Sequence, residues 1–291
     1  MEYGDKHILV LGAGASGIGA SWVLAQVGAH VVLNDYKPVT LPATEEGRLV
    51  SAGVEIITGR QDESLLDGVD RIVISPGISL DIPIVKVAQA RGIDVVSEVE
   101  LAYEVSKSPI VAVTGTNGKT TTTTLLTKVL EGSGKPVRVG GNIGDSLSEV
   151  AYSMPAGGFL VAELSSYQLE TIKHFRPIGA IMLNITPDHL ARHKTMENYI
   201  AAKERIFENQ LKSDYLVLNI DDSVVADMEH RAPSHILQIS QKQTVENGAY
   251  YANGQCYVVK NGVATAVIGD EDIHIPGSHN IENILTVIAL T

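Results

Sequence analysis

Cysteine, tryptophan and basic residues are scarce in this chain of 291 residues. The single cysteine, Cys256, cannot form an intrachain disulfide and has no companions for a zinc site, so we expect a buried free thiol in a reducing compartment. Only 22 lysines and arginines oppose 34 acidic residues, and the net charge of −12 argues against a nucleic-acid-binding surface. Any bound anion must therefore be held by local loops, lysines and metal ions.

Long apolar runs are also missing. No uncharged stretch approaches the roughly 18 residues that cross a bilayer, so no membrane insertion is predicted. The N-terminal stretch enters a predicted strand at His7 and leaves no room for the segments of a secretion signal. We therefore predict a cytoplasmic protein, and we expect it to be a monomer.

What the chain does contain is an alternation of β-branched runs with helical stretches, which is typical of a parallel, doubly wound α/β sheet. Residues 1–106 are predicted to form a Rossmann-like domain that ends near the polar, proline-containing residues 106–109. Residues 107–291 are predicted to form a second α/β domain of the mononucleotide-binding P-loop type. Beyond residue 234, short strands and Asn-Gly turns at residues 247–248, 253–254 and 261–262 predict a small antiparallel section.

Residues 111–121 contain the most informative motif. An apolar strand runs into a loop with two glycines, and Lys119 and Thr120 follow at the start of a predicted helix. Backbone amides of such a loop can converge on phosphate oxygens, Lys119 adds positive charge and Thr120 can hold Mg²⁺. One glycine of the usual Walker pattern is replaced by Val113. The motif predicts a nucleoside triphosphate site, and the alternative is an ordinary glycine-rich turn.

A second phosphate-binding pattern lies near the N-terminus. Residues 12–17 follow one strand and open a helix, and Asp35 ends the next strand, as in the dinucleotide-binding fingerprint. The same geometry serves any ligand with a pyrophosphate, including nucleotide sugars. The turn at residues 75–77 leaves the same sheet edge, where it either donates amides to that ligand or is a plain turn.

Polar residues at the ends of later elements are further candidates. Glu163 follows an apolar strand, where it either completes a magnesium site with the phosphate-loop threonine or is a solvated carboxylate. His189 follows another strand, and its imidazole either binds metal or phosphate or is structural. Lys203 lies on a predicted helix, where most lysines are solvated charges. Asn280 and Asn283 open the last helix, where their amides either contact a nucleotide or cap the helix.

Five motifs taken together resemble the Mur ligase family of peptidoglycan synthesis. They are Gly-Thr-Asn-Gly-Lys-Thr at residues 115–120, Glu-Leu-Ser-Ser-Tyr-Gln-Leu-Glu at 163–170, Asn-Ile-Thr-Pro-Asp-His at 184–189, Ala-Ala-Lys at 201–203 and Gly-Ser-His-Asn at 277–280. The second motif and the Rossmann-like opening are similar to the branch that uses D-glutamate. The family's acidic residue after Asp-His-Leu is replaced here by Ala191.

The resemblance implies an ATP-dependent ligase that joins D-glutamate to UDP-N-acetylmuramoyl-L-alanine through an acyl phosphate. It implies catalytic roles for Lys119, His189 and Lys203. It also implies two Mg²⁺ sites, one at Thr120 and Glu163 and the other at His189 and a carbamylated (N6-carboxylated) Lys203.

The resemblance also assigns the substrate contacts. ATP would contact Gly115, Thr116, Asn117, Gly118, Lys119, Thr120, Thr121, Asn280 and Asn283. The UDP substrate would contact Gly14, Ala15, Ser16, Gly17, Asp35, Ser75, Pro76 and Gly77, with its sugar-peptide end at Asn142, Ser165 and Gln168.

The family has a third, C-terminal domain that receives the amino acid. The helix that starts at Ser278 stops while still apolar, without a capping glycine or proline, so we expect a truncated chain that binds the UDP substrate but is inactive alone. Other functions stay open. The N-terminal fingerprint alone favours an NAD-dependent oxidoreductase, and a non-catalytic nucleotide-binding module is a further alternative. A folylpolyglutamate-type ligase shares the phosphate loop but does not explain the domain that precedes it.

Overall fold

The computed structural model describes residues 3–291, so the first two residues of the N-terminal stretch considered above lie outside it. Contacts between Cα atoms divide the chain into two compact units. The first unit contains the residues up to Lys107 together with Gly144–Met154 and Tyr167–Phe175. The second unit contains Ser108–Ile143, Pro155–Ser166 and Arg176–Thr291. The domain ranges 1–106 and 107–291 stay a prediction.

The elements alternate along the chain as in an α/β protein. The strands are β1 His7–Leu11, β2 His30–Asp35, β3 Glu55–Thr58, β4 Arg71–Ile74, β5 Asp94–Ser97, β6 Ile110–Thr114, β7 Val137–Gly141, β8 Phe159–Glu163, β9 Gly179–Met182, β10 Tyr215–Asn219, β11 His235–Ser240, β12 Gly248–Ala252, β13 Gln255–Lys260 and β14 Val263–Gly269. The helices are α1 Ala15–Gln26, α2 Ala43–Ser51, α3 Pro83–Ala90, α4 Glu98–Val105, α5 Lys119–Glu131, α6 Leu147–Ser153, α7 Ser166–Leu169, α8 Leu190–His193, α9 Met196–Glu204, α10 Ser223–Ala226 and α11 Ser278–Leu290. Short 3-10 helices lie at Glu63–Leu66, Arg205–Phe207, Asp227–His230 and Asp270–Asp272.

The first unit is built on a five-stranded parallel sheet in the order β3-β2-β1-β4-β5. Alternate residues of β1 point to opposite faces, so Ile8 and Val10 enter one apolar cluster while Leu9 and Leu11 enter the other. Burial on both faces explains why these strands read as near-continuous apolar runs. The carboxyl ends of β1 and β4 carry the two predicted phosphate-binding turns.

The second unit contains a nine-stranded sheet in the order β14-β13-β12-β11-β10-β9-β6-β8-β7. Strands β6 to β11 pair in parallel, whereas β13 pairs antiparallel with β12 and with β14. Helices α5 and α11 pack on one face, where Leu126 and Leu285 share an apolar cluster with Val113 of β6. Together the two sheets confirm the predicted α/β fold with a small antiparallel section.

One predicted turn is wrong. Strand β12 pairs with β11 in parallel, so the Asn-Gly pair at residues 247–248 does not form a hairpin. Instead Gly248 has a φ of 127°, and a Cβ at this position would lie 2.0 Å from the carbonyl oxygen of Gln238. A glycine stands here because two backbones approach closely. The other two Asn-Gly pairs connect β12 to β13 and β13 to β14 as predicted.

Two buried glutamates of α4 hold later segments of the chain in the first unit. Glu98 Oε1 accepts hydrogen bonds from Ser146 Oγ at 2.7 Å and from the Ser148 amide at 2.6 Å, at the N-terminus of α6. Glu100 accepts from the amides of Lys173, His174 and Phe175 at 2.7, 2.8 and 3.1 Å. The two carboxyl groups thereby join the segments around residues 146 and 174 to α4.

Helix length and the single cysteine can be compared with the expectations from the sequence. Within residues 3–291, no helix is long and apolar enough to cross a membrane. Cys256 is a buried free cysteine, as predicted, and burial raises the pKa of its thiol to about 11.

Candidate nucleotide and metal site

The phosphate loop lies between β6 and α5 and lines a cleft of about 300 Å³. Gly118 is the N-cap residue of α5 with a φ of 86°, and a Cβ here would lie 2.6 Å from Asn283 Oδ1. The second glycine of the motif is therefore required both by conformation and by space. The first-turn amides of α5 have no intrahelical acceptor, so the helix N-terminus can bind an anion. The cleft is lined by Thr116, Asn117, Gly118, Lys119, Thr120, Thr121, Asn142 and Glu163.

Thr120 and Glu163 meet in this cleft. Thr120 Oγ1 donates a hydrogen bond to Glu163 Oε2 at 2.9 Å. The other carboxylate oxygen, Oε1, accepts from Asn142 Nδ2 at 2.9 Å. The carboxylate of Glu163 is 1% exposed, so its solvation is replaced by these partners. A threonine hydroxyl and a carboxylate, both hard oxygen donors, thus stand together beside the phosphate loop.

Two lysines converge on one carbonyl of the loop. Lys119 Nζ donates to Gly115 O at 3.1 Å and to Thr116 O at 2.9 Å. Lys203 Nζ donates to the same Gly115 O at 2.7 Å and contacts Thr114 Oγ1 at 3.4 Å. Burial, assisted by the positive charge of Lys119, lowers the pKa of Lys203 to about 7. Lys203 is 2% exposed and is therefore not the solvated helix lysine of the alternative interpretation.

His189 lies in the loop that follows β9 and precedes α8. Its backbone is in the left-handed region, with a φ of 53°, which is uncommon for a residue other than glycine and is frequent at functional sites. The imidazole is 46% exposed, with Nε2 at 3.3 Å from Asp188 Oδ2. Among residues 3–291, no group of three or more histidine, cysteine or acidic side chains is arranged to hold a metal ion.

The two asparagines of α11 are buried behind the phosphate loop. Asn283 Oδ1 accepts from Thr122 Oγ1 at 3.0 Å, and Asn283 Nδ2 donates to Asn280 Oδ1 at 3.0 Å. Asn280 Nδ2 donates to Pro276 O at 2.7 Å. In this arrangement the amides support the loop and the start of the helix, and their contact with ATP stays a prediction.

In the first unit, the turns after β1 and β4 lie side by side. Ser75 Oγ donates to Gly12 O at 3.3 Å. Asp35 Oδ2 accepts from the Ala13 amide at 3.0 Å, and its Oδ1 accepts from the Lys37 amide at 3.0 Å. Asp35 therefore fixes the glycine-rich turn while it remains at the edge where a ribose would bind.

The remaining predicted contacts of the UDP substrate differ in exposure. Gly14 and Ala15, at the start of α1, and Gly77 are exposed, Ser16, Ser75 and Pro76 are half-buried, and Gly17 is buried. In the second unit, Asn142 is exposed and Ser165 is half-buried. Gln168 is a buried residue of the first unit, at 2% exposure.

Two protein families match the parts of the chain that contain these sites. Residues 113–291 match the Mur ligase middle domain, and residues 6–97 match the N-terminal domain of MurD-like Mur ligases. The chain belongs to the Mur ligase family.

Two curated relatives of this Mur ligase chain have the same name. The chain is 46% identical over 285 residues to the UDP-N-acetylmuramoylalanine–D-glutamate ligase of Thermoanaerobacter pseudethanolicus, and the match covers 98% of the chain and 63% of that relative. It is 42% identical over 288 residues to the ligase of the same name from Halalkalibacterium halodurans, covering 99% of the chain and 63% of that relative. The chain thus spans a little under two thirds of the length of these relatives.

Solved structures show the same fold. A UDP-N-acetylmuramate:L-alanyl-γ-D-glutamyl-meso-diaminopimelate ligase from Neisseria meningitides matches with a TM-score of 0.64 and 22% identity, over 98% of this chain and 93% of that one. The MurF ligase from Thermotoga maritima, solved with ADP, matches with a TM-score of 0.51 and 16% identity, over 89% of this chain and 59% of that one.

Asn184 shapes the phosphate loop of this Mur ligase chain and was not among the residues predicted from the sequence. Asn184, two residues after β9, accepts from the Asn117 amide through Oδ1 at 2.8 Å and donates from Nδ2 to Asn117 O at 3.1 Å. Its backbone oxygen also accepts from the Thr116 amide at 2.9 Å. Two loop amides predicted to contact phosphate are therefore already hydrogen-bonded. The position of Asn184 after an apolar strand could be seen in the sequence, but its contacts with the phosphate loop could not.

Tyr199 was also missed. It is buried in α9 at 1% exposure, with its hydroxyl 3.1 Å from Thr116 Oγ1. From the sequence it is an aromatic residue of an amphipathic helix, which gives no indication of contact with the phosphate loop.

Proposed function

We propose that the chain carries the UDP-substrate and ATP sites of an enzyme that joins D-glutamate to UDP-N-acetylmuramoyl-L-alanine. In this reaction a carboxylate oxygen of the L-alanyl group attacks the γ-phosphorus of ATP, which gives an acyl phosphate and ADP. The amine of D-glutamate then attacks the acyl carbon, inorganic phosphate leaves, and the amine loses a proton as the amide forms. The names of the curated relatives support this assignment of substrates.

The observation that carries the proposal is the meeting of Thr120 with Glu163 in the phosphate-loop cleft. The cleft combines a helix N-terminus, a lysine and a buried carboxylate, and this combination suits a triphosphate that carries a cation. Lys119 would leave the loop carbonyls to reach the transferring phosphoryl group and stabilise its charge.

The donor atoms in the cleft fit Mg²⁺. Thr120 Oγ1 and Glu163 Oε2 are 2.9 Å apart, and both are oxygen ligands of the type that Mg²⁺ prefers. A bound ion would neutralise charge on the β- and γ-phosphates. The residues of this chain would then hold the triphosphate at the N-terminus of α5.

A second ion would use His189 and Lys203. As an ammonium group Lys203 would repel a cation, but its pKa, lowered by burial to about 7, makes the neutral amine far more abundant near neutral pH than in an exposed lysine. A neutral amine can add CO₂ and release a proton, which gives a carbamate with two oxygen ligands. We propose this modification for Lys203, supported by its burial and its low pKa.

The first unit would hold the UDP part of the substrate. The glycine-rich turn at residues 12–17 opens α1, where a pyrophosphate would meet the helix N-terminus. Ser75, Pro76 and Gly77 would border the same ligand, since Ser75 already contacts the Gly12 carbonyl. Asn142, Ser165 and Gln168 would contact the sugar-peptide end. The cytoplasmic location and the monomeric state stay part of this proposal.

Two separate alanine substitutions in α5 test the ATP site. In the wild type, Mg-ATP should raise the melting temperature, and Lys119→Ala should abolish that rise because the phosphoryl charge loses its cation. Lys128→Ala is the matched control, since this exposed lysine of the same helix pairs with Glu131. An unchanged ATP response in Lys119→Ala would contradict the proposal.

The ligase reaction as a whole belongs to a protein of the relatives' length. We predict that these 291 residues alone bind UDP-N-acetylmuramoyl-L-alanine but do not turn over, because the binding of D-glutamate is expected from residues outside the matched part. Phosphate release can be measured with both substrates and Mg-ATP. Release at the rate of the full-length enzyme would overturn this expectation.

A further inference from the structure

Helix α9 contacts the phosphate loop through two side chains one turn apart. Tyr199 and Lys203 are four residues apart, so they lie on the same face of the helix. Lys203 reaches Gly115 O at 2.7 Å, and the Tyr199 hydroxyl reaches the neighbouring Thr116. The ligase mechanism gives Lys203 a role but leaves the tyrosine without one.

The other hydrogen bonds of Thr116 bear on which hydroxyl donates in its contact with Tyr199. Thr116 Oγ1 accepts from the Thr186 amide at 3.0 Å and lies 3.2 Å from Thr186 O, to which its single proton can be donated. The Tyr199 hydroxyl is 3.1 Å from the same oxygen. A hydroxyl has one proton and two lone pairs, so when Thr116 donates to Thr186, Tyr199 is the donor to Thr116. All the hydrogen-bonding capacity of Thr116 Oγ1 is then used.

The tyrosine ring is enclosed by groups of the same site. Lys203 Nζ lies 5.0 Å from the ring centroid. The rings of His193 and His189 have centroids 5.3 and 6.5 Å away. With the side chain 1% exposed, the ring has little freedom to move, so the direction of its hydroxyl is fixed by packing.

We propose that Tyr199 is a positioning residue for nucleotide binding, because its hydroxyl holds Thr116 and thereby keeps the phosphate loop in its binding conformation. The inference rests on the proposed ATP site. Asn184 fixes the backbone of Thr116 and Asn117 from one side, and Tyr199 fixes the Thr116 side chain from another. A loop shaped before the ligand arrives loses less conformational entropy when it binds.

The test compares nucleotide and UDP affinities in Tyr199→Phe, Thr116→Val and the double variant. Tyr199→Phe should weaken Mg-ATP and Mg-ADP binding by about 5- to 30-fold, the range expected for one hydrogen bond whose partner is left buried. Thr116→Val should weaken binding at least as much, because it also removes the two hydrogen bonds to Thr186. The double variant should bind these nucleotides as Thr116→Val does, because the bond to Tyr199 is already lost in that variant. UDP affinity, measured by the same titration calorimetry, should stay unchanged, since its proposed site is in the first unit.

Two further variants complete the design. Tyr257→Phe, in β13 of the same unit, is the control for loss of a tyrosine hydroxyl elsewhere and should bind Mg-ADP as the wild type does. Thr116→Ser keeps the hydroxyl and should recover most of the affinity lost in Thr116→Val. If Tyr199→Phe does not fold, the Thr116 pair tests whether nucleotide affinity needs the Thr116 hydroxyl, and unchanged affinity in Thr116→Val would overturn the positioning role.

The outcomes separate the inference from the proposed function. Failure of the wild type to bind Mg-ATP would refute the ATP site itself. Wild-type binding with unchanged affinity in Tyr199→Phe or in Thr116→Val would overturn the positioning role alone. An equal loss of nucleotide and UDP affinity would also overturn it, because that pattern indicates general destabilisation.

Discussion

At the residue scale, some side chains of the phosphate-loop cleft could be predicted from the sequence and others could not. Lys119, Thr120 and Glu163 were predictable because each follows an apolar strand or opens a helix, and such positions meet at the carboxyl edge of a parallel sheet. The partners of the loop, Asn184 and Tyr199, were not predictable. Their roles depend on which atoms the fold brings within hydrogen-bonding distance, and no local pattern encodes that distance.

The first prediction at this scale concerns Asn184. Asn184→Ala removes both side-chain hydrogen bonds to Asn117 and leaves that backbone without its partners. We expect Mg-ADP affinity to fall about tenfold or more, since each lost bond contributes about 1 kcal/mol. UDP affinity is the internal control for a folded chain. Equal Mg-ADP affinity in wild type and variant would show that the loop does not depend on Asn184.

The second prediction concerns the amine of Lys203, whose pKa falls from 10.5 to about 7 on folding. Between these values the unfolded chain binds more protons than the folded chain, so this group makes stability rise with pH from about 7 upward. Lys203→Met removes the titration. In CO₂-free buffer, the unfolding free energy of the wild type minus that of the variant should increase by up to about 1.4 kcal/mol for each unit of rising pH. Parallel profiles from pH 7 to 9 would contradict the low pKa.

At the scale of the elements, the alternation of strands and helices was predictable from the sequence. Strand β1 begins at His7, helix α5 begins at Lys119 and helix α11 begins at Ser278, as predicted. The parallel pairing of β11 with β12 was not predictable, because an Asn-Gly pair between two strands normally indicates a hairpin. The structural role of the two glutamates of α4 was also not predictable, since acidic residues in a first helical turn are usually solvated.

The third prediction uses these two glutamates as a matched pair. Burial raises the pKa of Glu98, and its Oε2 has no hydrogen-bond partner. A raised pKa means that its contribution to stability is present below the unfolded value of 4.5 and is lost as pH rises through the folded value. Glu98→Gln keeps an acceptor for Ser146 and Ser148 without the charge, so its unfolding free energy at pH 8 should equal or exceed that of the wild type.

Glu100→Gln should behave in the opposite way. Both carboxylate oxygens of Glu100 accept from backbone amides, and an NH₂ group in place of either oxygen would face a donor. We expect a loss of about 1–3 kcal/mol. Urea unfolding from pH 4.5 to 8 measures both variants. A loss in Glu98→Gln at pH 8 as large as that in Glu100→Gln would contradict the distinction between the two sites.

At the scale of the whole molecule, two nucleotide-binding patterns occur in two separate α/β units. The first unit has the fingerprint of a pyrophosphate site at the ends of β1 and β2, and the second has a triphosphate loop after β6. The sequence alone predicted both patterns. The segments around residues 146 and 174 belong to the first compact unit, where the glutamates of α4 bind them, and the domain ranges themselves stay a prediction. Such long-range contacts carry no local signal.

The presence of two separate nucleotide sites is tested most directly by calorimetry, in which the UDP substrate or an ATP analogue is titrated into the chain saturated with the other ligand. UDP-N-acetylmuramoyl-L-alanine and a non-hydrolysable Mg-ATP analogue should each bind with a stoichiometry of about one in the presence of the other, as expected for independent sites. NAD should displace neither ligand. Competition between the two ligands, or displacement of the UDP substrate by NAD, would contradict the assignment of a substrate site and a separate phosphoryl-donor site to this Mur ligase chain.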